Sequence, residues 1–389
     1  MGKEIRIAIY SGEVPSTVFI ERLIRGLGLK DYQIYLFGQK NAAVSYPKNI
    51  YDKSYAKSRR SKFWVLIKYT VLLLLFKRKE KKHLDRIIKN QSSSVLHTKV
   101  KFYPVLWCQP DIFHLQWAKG LAEWIWVKEF GIKLILSLRG AHINYSPIAD
   151  EALAQTYRDL FPNIDRFHAV SKAIATEAEK YNANPEKIDV VYSGLDLNEF
   201  KNVEVANSDV FQMISIGRPH WVKGYHYALD ACRLLLDNNF SFKYTIVGGA
   251  DDIELLYQIK DLGLGAHVEL LPKQPFKDVK LLIGQNDLLL LPSVKEGLAN
   301  VVLEAMALKT TALSTDSGGM NEVIEDGVNG FLVSYRNPEQ MANRIIEISN
   351  LNAIDIQVMH QKAMDTIINQ HTDRLMIEGM ANLYNRVQK

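Results

Sequence analysis

The sequence predicts an α/β protein made of two doubly wound domains with parallel sheets. The chain has 389 residues, which is long for one hydrophobic core and suits two domains of ordinary size. Short apolar, β-branched runs alternate with amphipathic helical runs, as successive βαβ units require. This alternation stops at a polar stretch, residues 201–209, and then starts again. We therefore expect a linker at 201–209 between two Rossmann-like domains.

Composition is typical of a globular protein in a reducing compartment. Hydrophobic residues make up 47% of the chain and charged residues 23%, so both domains can bury a core. The two cysteines, Cys108 and Cys232, exclude a disulfide framework. The first residues have no apolar core of signal-peptide length. We therefore expect a cytoplasmic protein.

The first half of the sequence predicts an N-terminal domain over residues 1–200. Its predicted strands are 5–10, 32–38, 111–117, 133–140, 166–171 and 189–194, and a helix is predicted over 17–29. Each strand ends at glycine or at polar residues, and helical patterns lie between several of them. This pattern indicates a parallel sheet, because strands that run in the same direction need crossover connections.

The second half predicts a C-terminal domain over residues 210–370. Its predicted strands are 211–217, 242–249, 267–272, 287–293, 310–315 and 330–333, and its helices include 225–238, 253–263 and 301–308. A final helix, 371–389, could pack back on the first domain. Open α/β sheets bind ligands beyond the carboxyl ends of their strands, so two such sheets that face each other predict a ligand-binding cleft.

The segment GRPHWVKG, 217–224, places two cations at a strand–loop–helix junction. Arg218 follows the end of a predicted strand, and Lys223 comes just before a predicted helix. Two cations beside a helix N-terminus can hold a diphosphate. Two solvated surface cations are the alternative.

The segment EGLANVVLEAMA, 296–307, places two carboxylates around a helix start. Glu296 follows an apolar strand, Asn300 is suited to be the N-cap of the next helix, and Glu304 lies about one turn inside it. Free N–H groups at such a helix start favour an anion. A surface loop acid and an exposed helix acid are the alternatives.

These segments, together with DSGGMNEVIEDGVNGFLV, resemble the C-terminal half of the large retaining glycosyltransferase family 4, which has the GT-B fold. The motif order is similar over roughly residues 211–335, and DIFHLQW, LILSLRG and IDVVYSGLDLNEF match the N-terminal half more loosely. The resemblance implies that Arg218 and Lys223 bind the donor diphosphate. It also implies that Glu296 faces the donor sugar and that Glu304 holds the ribose hydroxyls.

The resemblance implies further donor-binding positions. These are Gly12 beside the donor phosphate, the backbone of Leu298, Ala299, Asn300 and Val301 beside sugar and phosphate, and Lys273 and Gln274 near the nucleobase. For Gly12, a plain turn glycine in the loop 10–16 is the alternative.

The segment SLRGAH, 137–142, departs from the family pattern. Many relatives have His-Gly at this strand end, where the histidine approaches the reacting sugar, whereas this sequence has Arg139-Gly140 and places His142 two residues later. Arg139 could contact an acidic acceptor or the donor phosphate. A loop arginine paired with a carboxylate is an equal alternative. His114, at the end of another strand, is interpreted as a structural histidine.

Residues 57–82 form a basic segment around an apolar stretch, 63–76, that contains Lys68. The stretch is shorter than the about 20 apolar residues that span a bilayer. Residues 53–89 carry thirteen Lys or Arg and two acids, a net charge of +11 in a chain whose total is +5. A basic, apolar helix suits the surface of an anionic membrane. The alternative is a buried core helix with solvated flanks, and nucleic acid fits less well because the aromatics are not interleaved with the cations.

By this resemblance the chain is a retaining transferase of a hexose-type sugar, with a UDP-sugar favoured over a GDP-sugar as donor. The sequence has no Asp-x-Asp motif, and no metal or other cofactor is expected. The acceptor is expected to be a glycan or a lipid-linked molecule in polysaccharide biosynthesis, and the protein to lie peripherally on the inner face of the cell membrane. A nucleotide-sugar epimerase on the same fold and a non-catalytic sugar-nucleotide-binding module are the alternatives.

Overall fold

The computed structural model describes residues 4–91, 94–200 and 210–388, so the expected linker, 201–209, lies outside the described residues. The chain forms two compact units. Unit 1 comprises Met1–Val170, Ala175–Val191 and Asp373–Lys389, and unit 2 comprises Ser171–Ile174 and Tyr192–Thr372. Each unit contains one parallel β-sheet with helices in the connections between strands, which confirms the predicted α/β class.

Unit 1 is built on a sheet of eight described strands that pair in parallel. The strands are β1 (Ile5–Val14), β2 (Tyr32–Lys40), β3 (Ile50–Asp52), β4 (Tyr55–Ala56), β5 (Ile112–Leu115), β6 (Lys133–Leu138), β7 (Arg166–Ala169) and β8 (Ile188–Val190). Their order is β3-β2-β1-β5-β6-β7-β8, and β4 pairs with β2. The chain leaves β1 toward β2 and later returns to β5 on the other side of β1, so β1 and β5 form the switch point at which open α/β sheets bind ligands.

Helices connect these strands and end the chain. They are α1 (Val18–Leu27), α2 (Arg59–Phe76), α3 (Arg78–Gln91), α4 (Val95–Cys108), α5 (Leu121–Trp124), α6 (Ala141–Asn144), α7 (Ser146–Ala149), α8 (Glu151–Leu160), α9 (Lys172–Glu179) and the last helix, α16 (Asp373–Gln388). Met376, Met380 and Leu383 of α16 are buried in the core beneath β1 and β2.

Unit 2 is built on six described strands, again paired in parallel. They are β9 (Phe211–Ile216), β10 (Phe242–Val247), β11 (Val268–Leu271), β12 (Leu288–Leu291), β13 (Thr311–Thr315) and β14 (Phe331–Val333), in the order β11-β10-β9-β12-β13-β14. The helices are α10 (Tyr225–Asp237), α11 (Ile253–Asp261), α12 (Phe276–Gly284), α13 (Asn300–Ala307), α14 (Pro338–Ser349) and α15 (Ala353–Gln370). The switch point of this sheet lies between β9 and β12.

Strand β1 is longer than the sequence predicts. It continues to Val14 beside β2, with an irregularity in the pairing between Tyr10 and Gly12. Strands β1 and β2 approach each other closely at this point. A Cβ built on Gly38 would lie only 2.8 Å from the carbonyl oxygen of Gly12. Gly12 has φ +87°, a conformation that glycine adopts without strain. Much of the expected loop 10–16 is therefore strand, and Gly12 lies in its bulge.

The boundary between the units also differs from the expected one, because 171–174 and 192–200 belong to unit 2. The hydroxyl of Ser171 donates to the carbonyl oxygen of Gly297 (3.1 Å). Phe200 is buried in the core that also covers one face of β9 and β12. These contacts join residues that are distant in the sequence, so the polar stretch 201–209 alone does not predict where the boundary lies.

A buried chain of polar side chains connects α16 to the sheet of unit 1. His168 Nε2 donates to the carbonyl oxygen of Val191 (3.0 Å), so its Nδ1 accepts from the hydroxyl of Ser137 (2.9 Å). Ser137 then accepts from His114 Nε2 (2.8 Å), and the hydroxyl of Tyr384 donates to His114 Nδ1 (2.8 Å). Burial lowers the pKa of His168 to about 3, and both imidazoles are neutral at pH 7. These contacts confirm the structural role predicted for His114.

We predict that Tyr384→Phe destabilises the protein by about 1 kcal/mol, because a buried hydrogen bond is lost with little change in apolar packing. The measurement is the free energy of unfolding from urea denaturation. Tyr257→Phe is the matched control, because Tyr257 is 68% exposed, and we expect its effect to stay within about 0.5 kcal/mol. Equal effects of the two substitutions would contradict this role of the Tyr384 hydroxyl.

Candidate functional site

Two loops meet at the carboxyl ends of β9 and β12, the neighbouring strands at the switch point of unit 2. The loop after β9 carries Arg218 and Lys223, and the loop after β12 carries Glu296. The loops are joined by a backbone hydrogen bond from Val294 to Val222 (2.8 Å). Sheet order therefore brings together two motifs that lie far apart in the sequence.

Lys223 and Glu296 form an ion pair across these loops. The Nζ of Lys223 lies 2.7 Å from Oε1 of Glu296, and the two side chains are only 23% and 13% exposed. The hydroxyl of Ser293 donates to the same Oε1 (2.7 Å). One carboxylate oxygen thus accepts two hydrogen bonds from groups on both loops, which fixes the position of the carboxylate.

Glycines allow another loop to approach the Glu296 backbone closely. Gly318 has φ +63°, and a Cβ at this position would lie 1.8 Å from the carbonyl oxygen of Glu296. The next amide, Gly319 N, donates to the carbonyl oxygen of Gly297 (2.9 Å). The turn after β13 therefore packs against the backbone of the Glu296 loop. A side chain at Gly318 cannot be accommodated without moving this loop.

Arg218 is exposed and lies in the same loop as Lys223. Burial lowers the pKa of His220, between them in the sequence, and the charges of Arg218 and Lys223 lower it further. His220 is therefore a neutral imidazole at pH 7. The positive charge of this loop belongs to Arg218 and Lys223, and one of these two cations is already beside a carboxylate.

Helix α13 begins at Asn300, so the prediction that Asn300 is its N-cap was wrong by one residue. Ala299 occupies the N-cap position in an extended conformation and makes no side-chain capping bond. Asn300 is already helical, and its Oδ1 is buried without a hydrogen-bond partner. Glu304 is half-buried one turn later, and the i, i+4 spacing places it on the same face of α13 as Asn300.

The remaining positions around α13 differ in what they offer to a ligand. Ala299 is buried, and the side chains of Leu298 and Val301 pack against the apolar core of unit 2. Any polar contribution from these three residues must therefore come from their backbone groups.

Lys273 and Gln274 follow β11, which β10 separates from β9. Lys273 is exposed, and the side chain of Gln274 donates to the nearby carbonyl oxygen of Pro272 (3.2 Å). They lie at the same edge of the sheet as the Lys223–Glu296 pair but two strands away from it.

Arg139 lies at the carboxyl end of β6 in unit 1. Its Nη2 donates to Oε1 of Gln116 (3.1 Å), and its guanidinium lies 4.7 Å from the centroid of the Phe19 ring. Its Nε is buried without a hydrogen-bond partner. In the described parts of the chain no carboxylate is paired with Arg139, so the expected alternative of a carboxylate-paired loop arginine was wrong. The neighbours of this guanidinium are an amide and an aromatic face.

His142 and Gly12 lie near the same edge of unit 1. The ring of His142 packs on Trp117, with 5.4 Å between the ring centroids, and Trp117 Nε1 donates to the carbonyl oxygen of Ser11 (2.9 Å). Burial lowers the pKa of His142 to about 4, with a further contribution from the charge of Lys119. Its Nδ1 is buried without a partner, and no described atom lies within 4 Å of a Cβ built on Gly12.

Helix α2 contains the apolar stretch 63–76 and exposes most of it. Its described buried residues are Tyr69 and Leu73, and α2 packs on α4. The exposed apolar side chains are Phe63, Trp64, Ile67, Val71, Leu74, Leu75 and Phe76, with exposed fractions from 37% to 71%. The alternative of a buried core helix was therefore wrong. Among the described residues, no helix combines the length and apolarity needed to cross a bilayer.

The cations in and beside α2 differ in exposure. Lys62 is half-buried, with its Nζ 5.7 Å from the centroid of the Tyr55 ring. Lys77 Nζ donates to the carbonyl oxygens of Leu106 (3.2 Å) and Trp107 (3.3 Å), and Lys81 pairs with Asp85 (2.7 Å). The exposed group consists of Lys57, Arg59, Arg60, Lys68, Arg78, Lys79 and Lys82. The exposed group is the one best placed to meet an external anionic surface.

Two family models together match most of the chain. Residues 16–199 match Glycosyltransferase Family 4, and residues 196–365 match glycosyl transferases group 1. The sequence is 28% identical over 239 residues to WcaL of Salmonella typhimurium, which is named for colanic acid biosynthesis, and 59% of each chain is covered. It is 27% identical to the amylovoran biosynthesis glycosyltransferase AmsK of Erwinia amylovora over 67% of each chain. The match thus spans less than two thirds of the length of WcaL.

Solved structures share the fold at low sequence identity. HepE of Anabaena, in complex with UDP-glucose, superposes with a TM-score of 0.72 and 17% identity, covering 98% of this chain and all of that one. The sucrose-phosphate synthase of Thermosynechococcus elongatus gives a TM-score of 0.78 and 14% identity, with 99% of each chain covered. Similarity at this level establishes the GT-B fold.

We predict that Gly318→Ala destabilises unit 2 by about 2 kcal/mol or more, because the new Cβ overlaps the Glu296 backbone in addition to the strain of a positive φ. The measurement is thermal unfolding followed by circular dichroism. Gly327→Ala is the matched control, since Gly327 also has a positive φ (+72°) but open space around its Cβ position. Equal destabilisation by both substitutions would show that the close approach at Gly318 contributes nothing.

Proposed function

The chain belongs to the glycosyl transferases group 1, with an N-terminal half of the Family 4 type, and we propose that it is a retaining, metal-independent hexosyltransferase. Unit 2 binds a nucleotide-diphosphate sugar, and the acceptor is a membrane-associated glycan or lipid-linked molecule in polysaccharide biosynthesis. The proposal rests mainly on one observation. Lys223 and Glu296 form a largely buried ion pair ahead of α13, at the switch point of a parallel sheet.

Donor binding in this proposal uses charges at the ends of β9 and β12. Arg218 and Lys223 neutralise the diphosphate, and the first N–H groups of α13, whose N-cap residue Ala299 makes no side-chain capping bond, add partial positive charge. Glu296 faces the donor sugar, and Glu304 binds the ribose hydroxyls one turn along α13. The supporting geometry is the fixed carboxylate of Glu296 and the shared helix face of Asn300 and Glu304.

The reaction exchanges one bond at the anomeric carbon for another. The bond from this carbon to the diphosphate oxygen breaks, and the acceptor hydroxyl attacks from the same face through an oxocarbenium-like state. Because the attack is on the face from which the phosphate leaves, configuration is retained. The departing phosphate oxygen takes the hydroxyl proton. Lys223 and Arg218 stabilise the negative charge that develops on the diphosphate, and charges positioned before the reaction are effective in this role.

UDP is proposed as the nucleotide of the donor. Support comes from HepE, whose structure contains UDP-glucose, and the fold of this chain is the same. Lys273 and Gln274, two strands from the ion pair, are proposed to lie near the base. The names of WcaL and AmsK support an acceptor that belongs to an extracellular polysaccharide.

An anionic membrane surface is proposed to hold the protein near its acceptor, through the exposed apolar face of α2 and the exposed cations around it. Apolar patches of this kind on a protein surface indicate an interaction site. Each cation near an anionic surface contributes about 1 kcal/mol. We propose the inner face of the cell membrane as the location of this contact.

We predict that Lys223→Ala lowers kcat by about 10²–10³-fold, the usual effect of removing a group that stabilises transition-state charge. Glu296→Gln should lower kcat to a similar extent, because it removes the carboxylate charge that faces the donor sugar and pairs with Lys223. Transfer is measured with a UDP-sugar and a lipid-linked or glycan acceptor, in the presence and absence of EDTA. Glu339→Gln is the matched control, because Glu339 is exposed on α14 and lies outside the loops after β9 and β12. Glu304→Ala should mainly weaken donor binding.

Full activity of Glu296→Gln would remove the site assignment. Loss of activity in EDTA would refute metal independence, and an inverted product anomer in the proton NMR spectrum would refute retention. A thermal-shift screen with UDP-sugars and GDP-sugars tests the nucleotide, and stabilisation by GDP-sugars alone would overturn the choice of UDP.

We predict that Arg78→Ser, Lys79→Ser and Lys82→Ser together weaken binding to anionic vesicles by roughly 100-fold, because three contributions of about 1 kcal/mol are removed. Co-sedimentation is measured with vesicles of phosphatidylglycerol and phosphatidylcholine, and with phosphatidylcholine alone. Trp64→Ser should also weaken binding by removing an apolar contact.

The control for this test replaces Lys260, Lys277 and Lys362 with serine, which removes three exposed cations from unit 2. We expect this variant to bind vesicles like the unsubstituted protein. Equal binding to neutral and anionic vesicles, unchanged by the substitutions beside α2, would reject the proposed membrane surface.

A further inference from the structure

Arg139 is a cation that the surrounding protein does not neutralise. One of its nitrogens donates to the Gln116 side chain, its central carbon lies 4.7 Å from the centroid of the Phe19 ring, and its buried Nε has no acceptor. Within the described residues, its partners provide only partial negative charge. A guanidinium withdrawn from water is costly unless an anion pairs with it, so this position is suited to receive an anion from a ligand.

The charge of Arg139 persists at neutral pH. Burial lowers its pKa to about 10, which leaves the guanidinium protonated at pH 7. The nearby groups do not offset it, because His142 is neutral and Lys119 adds positive charge at the same edge. The local field is therefore positive and selects for negatively charged groups.

Gln116 holds the guanidinium in one orientation. Its Nε2 donates to His114 Nδ1 (3.1 Å), which leaves its Oε1 to accept from Arg139. His114 is itself held by the hydroxyl of Ser137 (2.8 Å). Since Gln116 and His114 are fully buried, Arg139 is held in place before any ligand binds, which lowers the entropic cost of binding.

The surroundings of Arg139 also suit a sugar ring. Phe19 and Trp117 are half-buried aromatic rings whose centroids lie 6.3 Å apart, and the buried Nδ1 of His142 lacks a hydrogen-bond partner. No described atom lies within 4 Å of a Cβ built on Gly12 or Gly140. Binding sites for small molecules combine apolar surface with a few positioned polar groups in this way.

We propose that Arg139 binds an oxyanion, a carboxylate or a phosphate ester, carried by the acceptor. This proposal rests on the proposed transferase function for the existence of an acceptor. The donor diphosphate is assigned to Arg218 and Lys223 of unit 2, so Arg139 of unit 1 provides for a second anion. The acceptor is thus an acidic or phosphorylated sugar, recognised by its charge as well as by the hydroxyl that reacts.

The test measures binding of three sugars to the full chain by titration calorimetry, with and without UDP. The probes are methyl β-D-glucuronide, glucose 1-phosphate and the neutral methyl β-D-glucoside. We expect at least one anionic probe to bind roughly tenfold or more tightly than the neutral one, as a charge-assisted hydrogen bond provides. The preferred probe identifies the oxyanion as a carboxylate or a phosphate.

Two variants connect this preference with Arg139. Arg139→Gln should abolish it while the affinity for UDP stays unchanged, and Arg139→Lys should weaken it because lysine lacks the planar fork of arginine. If Arg139→Gln does not fold, the comparison of Arg139→Lys with the unsubstituted protein shows whether the preference for anionic probes depends on Arg139. The readout is binding of a free sugar, so it is independent of the transfer assays on Glu296 variants.

Three results would overturn the proposal. The first is equal affinity of the unsubstituted protein for charged and neutral probes. The second is a preference that Arg139→Gln, or Arg139→Lys when the former is unfolded, leaves intact. The third is loss of UDP affinity on substitution, which would assign Arg139 to the donor phosphate.

Discussion

The ion pair between Lys223 and Glu296 connects the ends of two strands that are adjacent in the sheet and distant in the sequence. Its geometry depends on the order of strands in unit 2, because only the neighbouring positions of β9 and β12 bring the two loops within reach. Ser293 fixes the carboxylate from one side, and Gly318 supports its backbone from another. The donor assignment depends on this arrangement, since a diphosphate and a sugar require a cation and a carboxylate held next to each other.

Unit 1 holds a second cation, Arg139, through hydrogen bonds to neutral side chains. A buried series of hydrogen bonds runs from His168 through Ser137 and His114 to Gln116, which orients Arg139. Each of these side chains is neutral, so together they orient the guanidinium of Arg139 without neutralising its charge. The two units therefore differ in how they hold a cation, because Lys223 has a carboxylate beside it and Arg139 does not. This difference is the physical basis for assigning the two cations to different ligands.

The sequence could predict the sheets and the motif residues, because strand–helix alternation and the spacing of Lys223 and Glu296 are local patterns. It could not predict Ser293 or Gly318 as supports for Glu296, since these contacts depend on how loops from different strands pack. The contact of Tyr384 with His114 joins residues 270 positions apart, and no periodic pattern records it. Local conformation also caused the error at Asn300, because the helix starts one residue earlier than the capping preference of asparagine predicts and leaves Asn300 Oδ1 without a hydrogen-bond partner.

Comparing the affinities of the protein for UDP and for uridine tests whether Lys223 binds the diphosphate, because the two ligands differ only in the diphosphate. Titration calorimetry on the unsubstituted protein and on Lys223→Ala gives the ratio of the two affinities in each. If Lys223 binds the diphosphate beside Glu296, the preference for UDP over uridine should fall by roughly tenfold or more in the variant, the usual effect of losing a charged hydrogen bond. An unchanged ratio would show that the nucleotide phosphates bind elsewhere in the protein.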